Sequence, residues 1–292
     1  MIKLEKPQFD QEEIIMDCIS NMKDGLLKQH ILDSKNEIII QSDDYDRKAS
    51  AGELSNILVH NILKSGATKD DMINIYDRKF ARKGEGGRKY YDAIRLLSPN
   101  DKCPYCAQHE VRTLDHYLPK AKYPTYAITP CNLIPSCRDC NEVKLGGNFS
   151  SRKEETIHPY YDDFTNEKWI VAKMIEGDPI AFEFAVKCPA SWDDIKKARA
   201  QNHFEIFQLD KLYNPYASDE FRACFNRIKR LYKRGGKALA IKDLMEHIED
   251  KEDVRLNTWQ AAMYQAIIDN EWFWDEYLPQ IMPQAEWKVG SI

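Results

Sequence analysis

Apolar positions in the first hundred residues recur at helical spacing. Ile14, Ile15, Cys18, Ile19 and Met22 share one face, and the same spacing runs through Leu54, Ile57, Leu58, Ile62 and Leu63, predicting a helix at each place. Between them, EIIIQ carries the apolar run Ile38–Ile40, which reads as a short strand or the edge of a buried helix. The stretch RKGEGGRK at 82–89 is glycine-rich and basic, a loop by its punctuation. A helix through Tyr90, Tyr91, Ile94 and Leu97 should follow it. Residues 168–187 partly alternate apolar and polar on either side of a Glu-Gly-Asp-Pro turn, predicting a β-hairpin. From about Trp192 to Trp287 the pattern is helical again, with no internal repeat.

Composition narrows the class. With 43% apolar and 11% aromatic residues, the 292-residue chain can bury a sizeable core, which sets global disorder aside. No apolar run approaches the roughly 20 residues of a membrane helix. The segment MIKLEKPQFDQEEII lacks the charged-then-apolar order of a signal peptide, so a cytoplasmic chain without membrane contact is expected. The net charge of −5 argues against a polyanionic partner only if charge is spread evenly. It is not: residues 1–76 hold 9 basic and 14 acidic side chains, residues 154–292 hold 18 and 25, but residues 77–153 hold 15 and 8. A local basic patch is what a polyanion feels within a Debye length.

The cysteines fall unevenly as well. Cys18, Cys131, Cys188 and Cys224 are scattered and suit small buried positions, while Cys103, Cys106, Cys137 and Cys140 form two C-x-x-C pairs. In a reducing compartment such pairs point to metal before disulfides. Four thiolates suit a closed tetrahedral Zn²⁺ site that supports folding without doing chemistry; four buried, reduced cysteines are the alternative. The thirty residues between the pairs exceed the usual zinc-ribbon gap, so that loop should contain structure of its own.

Inside this frame lie Asp115-His116, then Asn132, then Asn141 directly after the last cysteine. On an extended backbone, adjacent side chains leave from opposite faces; local twist can still bring both toward one site. RDCNEVK has helical composition and places Asn141 on a helix, with Lys144 about one turn on. Each residue alone is compatible with ordinary turn or capping chemistry.

Taken in order, TLDHYLPK…YP…NLIPSC…CN…K within paired cysteines resembles the HNH endonucleases of the ββα-metal (His-Me finger) superfamily. The resemblance covers residues 103–144, a minority of the chain, through four ordered elements. It implies Asp115 as a ligand of a catalytic Mg²⁺ or Mn²⁺, His116 as the general base for the attacking water, Asn132 as a brace for the loop, and Asn141 as a second metal ligand. Asn in the last slot departs from the literal H-N-H order. Hard oxygen donors favour Mg²⁺ over softer ions, and neutral imidazole can accept a proton near physiological pH. The implied reaction is hydrolysis of DNA phosphodiester bonds, leaving 5′-phosphate and 3′-hydroxyl ends.

Neighbouring residues have two readings each. Lys120, Lys122 and Lys144 either contact phosphates or are solvated surface lysines. His158, in IHPYYDDF, is a further metal ligand, a substrate contact or a packed histidine. His109 would replace a thiolate only if one cysteine failed, and Asp162 and Asp163 look like solvated turn residues. In FRACFNRIKRLYKRGGK, residues 221–237, Arg227, Arg230 and Arg234 share a helix face. That face grips a phosphate backbone or is simply a charged outer surface, the latter being favoured by its acidic surroundings. The late aromatics Trp259, Trp272, Phe273, Trp274 and Tyr277 lack the basic interleaving of a base-stacking platform and suit core or partner contact.

The expected fold is α+β: a helical region at 1–99, a zinc-bound ββα finger at 100–165, then a short hairpin and helical region over 166–292. The expected function is a metal-dependent HNH endonuclease, the nuclease component of a bacterial defence or restriction system. The wording around the motif is similar to HNH nucleases of bacterial antiphage defence, such as those of Septu-type systems, whose partner is an ATPase. The contrasting expectation is a nucleic-acid-binding or assembly module that keeps the finger without catalysis.

Overall fold

The computed structural model describes residues 1–144 and 149–282. The chain divides into two compact units. One joins Met1–Phe164 to Asp193–Phe207, and the other joins Thr165–Trp192 to Gln208–Ile292. The N-terminal helices and the cysteine-bearing segment therefore share a unit, and the architecture is α+β as expected.

In the first unit, α1 (Gln11–Ile19) starts at Asp10, whose side chain accepts from the Glu13 amide. This cap satisfies one of the donors that a helix start leaves unpaired. EIIIQ lies inside α2 (Leu26–Ala51), so the helix-edge alternative holds: Ile38 is buried and Ile40 faces solvent. Gly52, with φ 69°, ends that helix in the left-handed conformation.

The helix expected over 54–63 is absent. Only Leu54–Asn56 makes a 3-10 turn, and Ile57, which follows it, is already extended. Leu54, Ile57 and Leu63 are buried, whereas Leu58 and Ile62 are 83% and 61% exposed. The helical spacing was thus coincidental, because its members do not share a buried face. Glu37 of α2 instead accepts from the amides of Lys64 and Ser65 and fixes the loop.

The chain continues through α3 (Lys69–Ile75), which opens with a capping box between Thr68 and Asp71. The glycine-rich loop follows and is a loop as expected. Its Gly87 packs so closely on α1 that a Cβ would sit 2.6 Å from Cys18 Sγ and 2.8 Å from the Lys79 carbonyl, so only glycine fits. Next come α4 (Arg88–Arg95), β1 (Thr113–His116), β2 (Leu133–Ser136) and α5 (Arg138–Val143). The strands pair antiparallel, with Asp115 opposite Ile134 and His116 opposite Leu133. One core runs from Ile14, Ile38 and Phe80 to Leu114 and Leu133, so the ββα element rests on the N-terminal helices.

The second unit begins with the expected hairpin, β3 (Ile170–Ile175) paired with β4 (Ala181–Val186). The chain returns to the first unit for α6 (Asp194–Ile206), then forms α7 (Leu209–Val254) and α8 (Trp259–Asp269) in the second. Buried Phe182 and Phe184 pack edge-on against Phe221 and Tyr213 of α7. Gly235 and Gly236 break α7 into two arms. The helical expectation is met through α8, and its residues 283–287 lie outside the described residues. No described helix is long and apolar enough to cross a membrane.

Candidate active site

The four motif cysteines converge. Cys103, Cys106, Cys137 and Cys140 are buried, with sulfurs all within 4.8 Å of one another. A tetrahedral Zn²⁺ with bonds of about 2.3 Å needs sulfurs roughly 3.8 Å apart, so the cluster fits the ion. Local backbone explains the convergence. After Cys106 the chain turns through Ala107 (φ 56°), and the Cys103 amide donates to the His109 carbonyl at 2.8 Å across the turn. On the other side, Cys137 caps α5, its sulfur accepting from the Cys140 amide. Hydrogen bonds from the neighbouring thiols draw Cys106 well below the ordinary thiol range, and Cys140, on the donating side, is pushed up. His109 is close to Asp139, with Nδ1 and Oδ2 2.7 Å apart, beside Cys137.

Asp115 and His116 end β1 and line one cavity of about 540 Å³, together with Tyr76, Lys120, Lys122 and Asn141. All four residues of β1 line this cavity, so both Asp115 and His116 border it although they are adjacent on the strand. His116 Nε2 lies 2.9 Å from the Ala127 carbonyl oxygen. A carbonyl only accepts, so Nε2 carries the proton and Nδ1 keeps its lone pair. Burial pushes the imidazole pKa down to about 3, opposed in part by that carbonyl, so the ring is neutral. The Tyr76 ring meets it edge-on at 4.4 Å between centroids.

Asn132 is fully buried and braces the loop that joins the two strands. Its Oδ1 accepts from the Leu118 amide at 2.7 Å, and its Nδ2 donates to the Leu118 and Tyr126 carbonyls. The loop so held includes Ala127, the partner of His116. Asn132 therefore reaches His116 through the backbone, without touching the ring. Asn141 lies on α5 as expected and reaches the cavity wall.

The lysines differ in fate. Lys144 was expected on a solvated face or at a phosphate; it is 7% exposed instead. Its Nζ donates to the His116 and Tyr117 carbonyls and to Asp115 Oδ2, each at 2.9 Å. All three ammonium protons are thereby used, and the end of α5 is tied to the end of β1. Burial raises the Asp115 pKa, opposed by the Lys144 charge and by the Tyr105 hydroxyl, which donates to Oδ2 at 2.8 Å. Lys120 pairs with Asp77 and lies over the Tyr76 ring at the cavity wall. Lys122 also lines the cavity, its carbonyl accepting from the His60 amide.

His158 is packed. Its ring lies 4.1 Å from that of Tyr117 and 4.7 Å from that of Tyr161, and its Nε2 is 3.2 Å from the Tyr45 hydroxyl. Burial lowers its pKa. Among the described residues it joins no group of side chains able to hold a metal. Asp162 is not a solvated turn residue either: it pairs with buried Arg199 of α6 and accepts from the His158 amide.

Three residues of this site had no signal in the sequence. Tyr76 and Tyr105 touch His116 and Asp115, and His203 lies behind Tyr105, its Nε2 2.9 Å from the Tyr105 carbonyl. Tyr105 sits inside the first C-x-x-C pair, but nothing there names a partner ten residues on.

No protein-family model and no solved structure matches the chain. It is 31% identical over 134 residues to the Septu protein PtuB of Bacillus thuringiensis, covering 44% of this chain and 46% of that protein. That match thus spans about half the length of each protein. It is 28% identical over 298 residues to protein ea31 of Escherichia phage lambda, covering 94% of this chain and 99% of that protein.

Proposed function

We propose that the chain is a metal-dependent endonuclease that hydrolyses DNA phosphodiester bonds, working within a bacterial defence system. The carrying observation is the single cavity that gathers His116, Asp115 and Asn141 beside Lys120 and Lys122. His116 supplies the base: neutral and fixed by Ala127 through Nε2, it keeps Nδ1 for the proton of an attacking water. Because burial and the neighbouring Lys120 hold its pKa at about 3, it gains basicity only when a negatively charged phosphate enters beside it. Asp115 and Asn141 offer the hard oxygen donors that would hold Mg²⁺ or Mn²⁺. Such an ion supplies charge neutralisation at the scissile phosphate and at the leaving oxygen. Lys122 adds positive charge to the wall that a phosphate would meet, and Lys120 adds its own where a phosphate displaces its partner Asp77. The cysteine cluster, as a Zn²⁺ site, holds α5 in place and with it Asn141 and Lys144.

The defence setting is supported by the partial similarity to PtuB, and a partner subunit such as an ATPase belongs to that reading. The Lys144–Asp115 ion pair favours a second reading, a nucleic-acid-binding or assembly module without catalysis, because the carboxylate already has a resident cation. Incubating supercoiled plasmid with the chain, with Mg²⁺, with Mn²⁺ and with neither, separates the two. Nicking that needs the added ion supports the nuclease. Binding without nicking under all three conditions supports the module.

A further inference from the structure

We propose that the tip of the first arm of α7 is a second DNA contact, gripping the sugar–phosphate backbone of duplex DNA. This rests on the reading of DNA as substrate. Residues 221–237 hold seven basic and no acidic side chains, in a unit with 15 basic and 18 acidic overall. Nearly half of the unit's positive charge therefore sits in seventeen residues.

The structure sorts those seven. Arg227 is drawn in to Asp243 at 2.9 Å, Lys237 pairs with Asp275 at 3.0 Å, and Lys229 lies over the Phe225 ring. Arg222 makes one exposed contact to Asp219 at 3.4 Å. Arg230, Lys233 and Arg234 are exposed, and among the described residues none has a carboxylate within 4.0 Å. Arg222, Asn226, Arg230 and Arg234 follow at four-residue steps, all exposed, so they form one stripe roughly 18 Å long at 1.5 Å per residue. Phe221, Cys224 and Ile228 fill the buried face of the same arm. The stripe ends at Gly235 and Gly236. Gly236 has φ 70°, and no atom lies within 4 Å of where its Cβ would be, so the tip presents bare backbone next to three cations.

The nearby aromatic decides between nucleic-acid forms. Tyr232 stacks on Trp274 with planes 21° apart, so it is committed to packing and cannot stack a base. Without a stacking platform, cations alone favour a backbone contact on duplex over capture of single strands. The competing role for these cations is structural, since positive charge at a helix C-terminus complements its dipole. That role predicts lost stability on neutralisation and unchanged DNA affinity.

The test uses the full chain without added divalent metal, titrated into a labelled 30-bp duplex and followed by fluorescence anisotropy from 50 to 200 mM salt. The triple variant Arg230→Gln, Lys233→Gln, Arg234→Gln is compared with the charge-matched Lys173→Gln, Lys187→Gln, Lys211→Gln, and both are checked by thermal melting. Three lost phosphate contacts should flatten the log–log salt slope by about 2.7 and weaken binding at least about tenfold at the lowest salt, with the control near wild type. Unchanged affinity and slope in the tip variant overturn the proposal, whatever the substitutions do to stability or to binding of an acidic protein. If that occurs while the wild type nicks plasmid, only the tip contact falls. A wild type that neither binds the duplex nor nicks plasmid overturns this contact and the nuclease reading together.

Discussion

Replacing Lys144 by Met keeps the aliphatic stem and removes three hydrogen bonds at once. Asp115 then retains the Tyr105 hydroxyl, while the His116 and Tyr117 carbonyls lose their shared donor. The Lys144 and Asp115 side chains are 5% and 8% exposed, so the pair counts as buried. Breaking such a pair from one side costs about 3–5 kcal/mol, because the remaining charge is left uncompensated. Each carbonyl deprived of its donor adds about 1–3 kcal/mol where water cannot reach it. Asp115 and His116 line an open cavity, and water entering there repairs part of the loss. We therefore expect about 3 kcal/mol, which speeds exchange through global opening by roughly a hundredfold or more. All six tryptophans fall in the second unit, so tryptophan emission does not report on this site. Amide hydrogen exchange at Leu118, whose N–H is held by Asn132, does report on it. The double variant Lys144→Met, Asp115→Asn should recover at least about 1 kcal/mol relative to the sum of the single changes, as expected for residues in contact. A Lys144→Met protein with wild-type protection at Leu118, or strict additivity in the cycle, would refute this account of the pair.

Three further outcomes follow from other parts of the first unit. Cys140→Ser should lower bound zinc below one equivalent per chain and abolish cooperative unfolding of the ββα element; full structure in the metal-free protein would contradict the zinc assignment. Asn132→Ala removes three hydrogen bonds from a buried loop and should cost about 2–4 kcal/mol in chemical denaturation, with Asn132→Asp retaining the acceptor at Leu118. His203 is buried, and its pKa is lowered to about 3. The unfolded chain then binds the extra proton first, so this stability is intact above about pH 6.5 and falls between there and about pH 3, by about 1.4 kcal/mol per pH unit. His203→Gln should flatten the stability profile between about pH 4 and 6 by that slope; an unchanged profile would count against a neutral buried His203.

The sequence exposed what depends on spacing and hid what depends on destination. Two C-x-x-C pairs announce a metal frame because ligand separation is covalent, and the cysteines do converge. The Asp115–His116 and Asn141 positions stood out through their order relative to those cysteines. The β1 and β2 strands gave no periodic signal, being four residues each and almost wholly buried. Leu58 and Ile62 carried a helical spacing that the fold ignores, since Glu37 fixes the following loop from another helix. Lys144 does lie about one turn after Asn141, yet only the close approach of α5 to the end of β1 shows that its ammonium turns inward. His203 supports Tyr105 from 98 residues away, a relation with no local trace. Charge partition worked in the same selective way: the basic 77–153 segment contains the cavity lysines, but Asp77 pairs with Lys120 and Asp115 compensates Lys144.

The most direct test of the nuclease reading compares wild-type protein with His116→Ala on supercoiled plasmid in Mg²⁺ or Mn²⁺, with zinc content and melting measured on the same preparations. The account predicts metal-dependent nicking by the wild type and a loss of at least about a hundredfold in the variant, the usual worth of a positioned general base. It also predicts equal zinc content in the two proteins. Undiminished cutting by His116→Ala, with its fold intact, would contradict it.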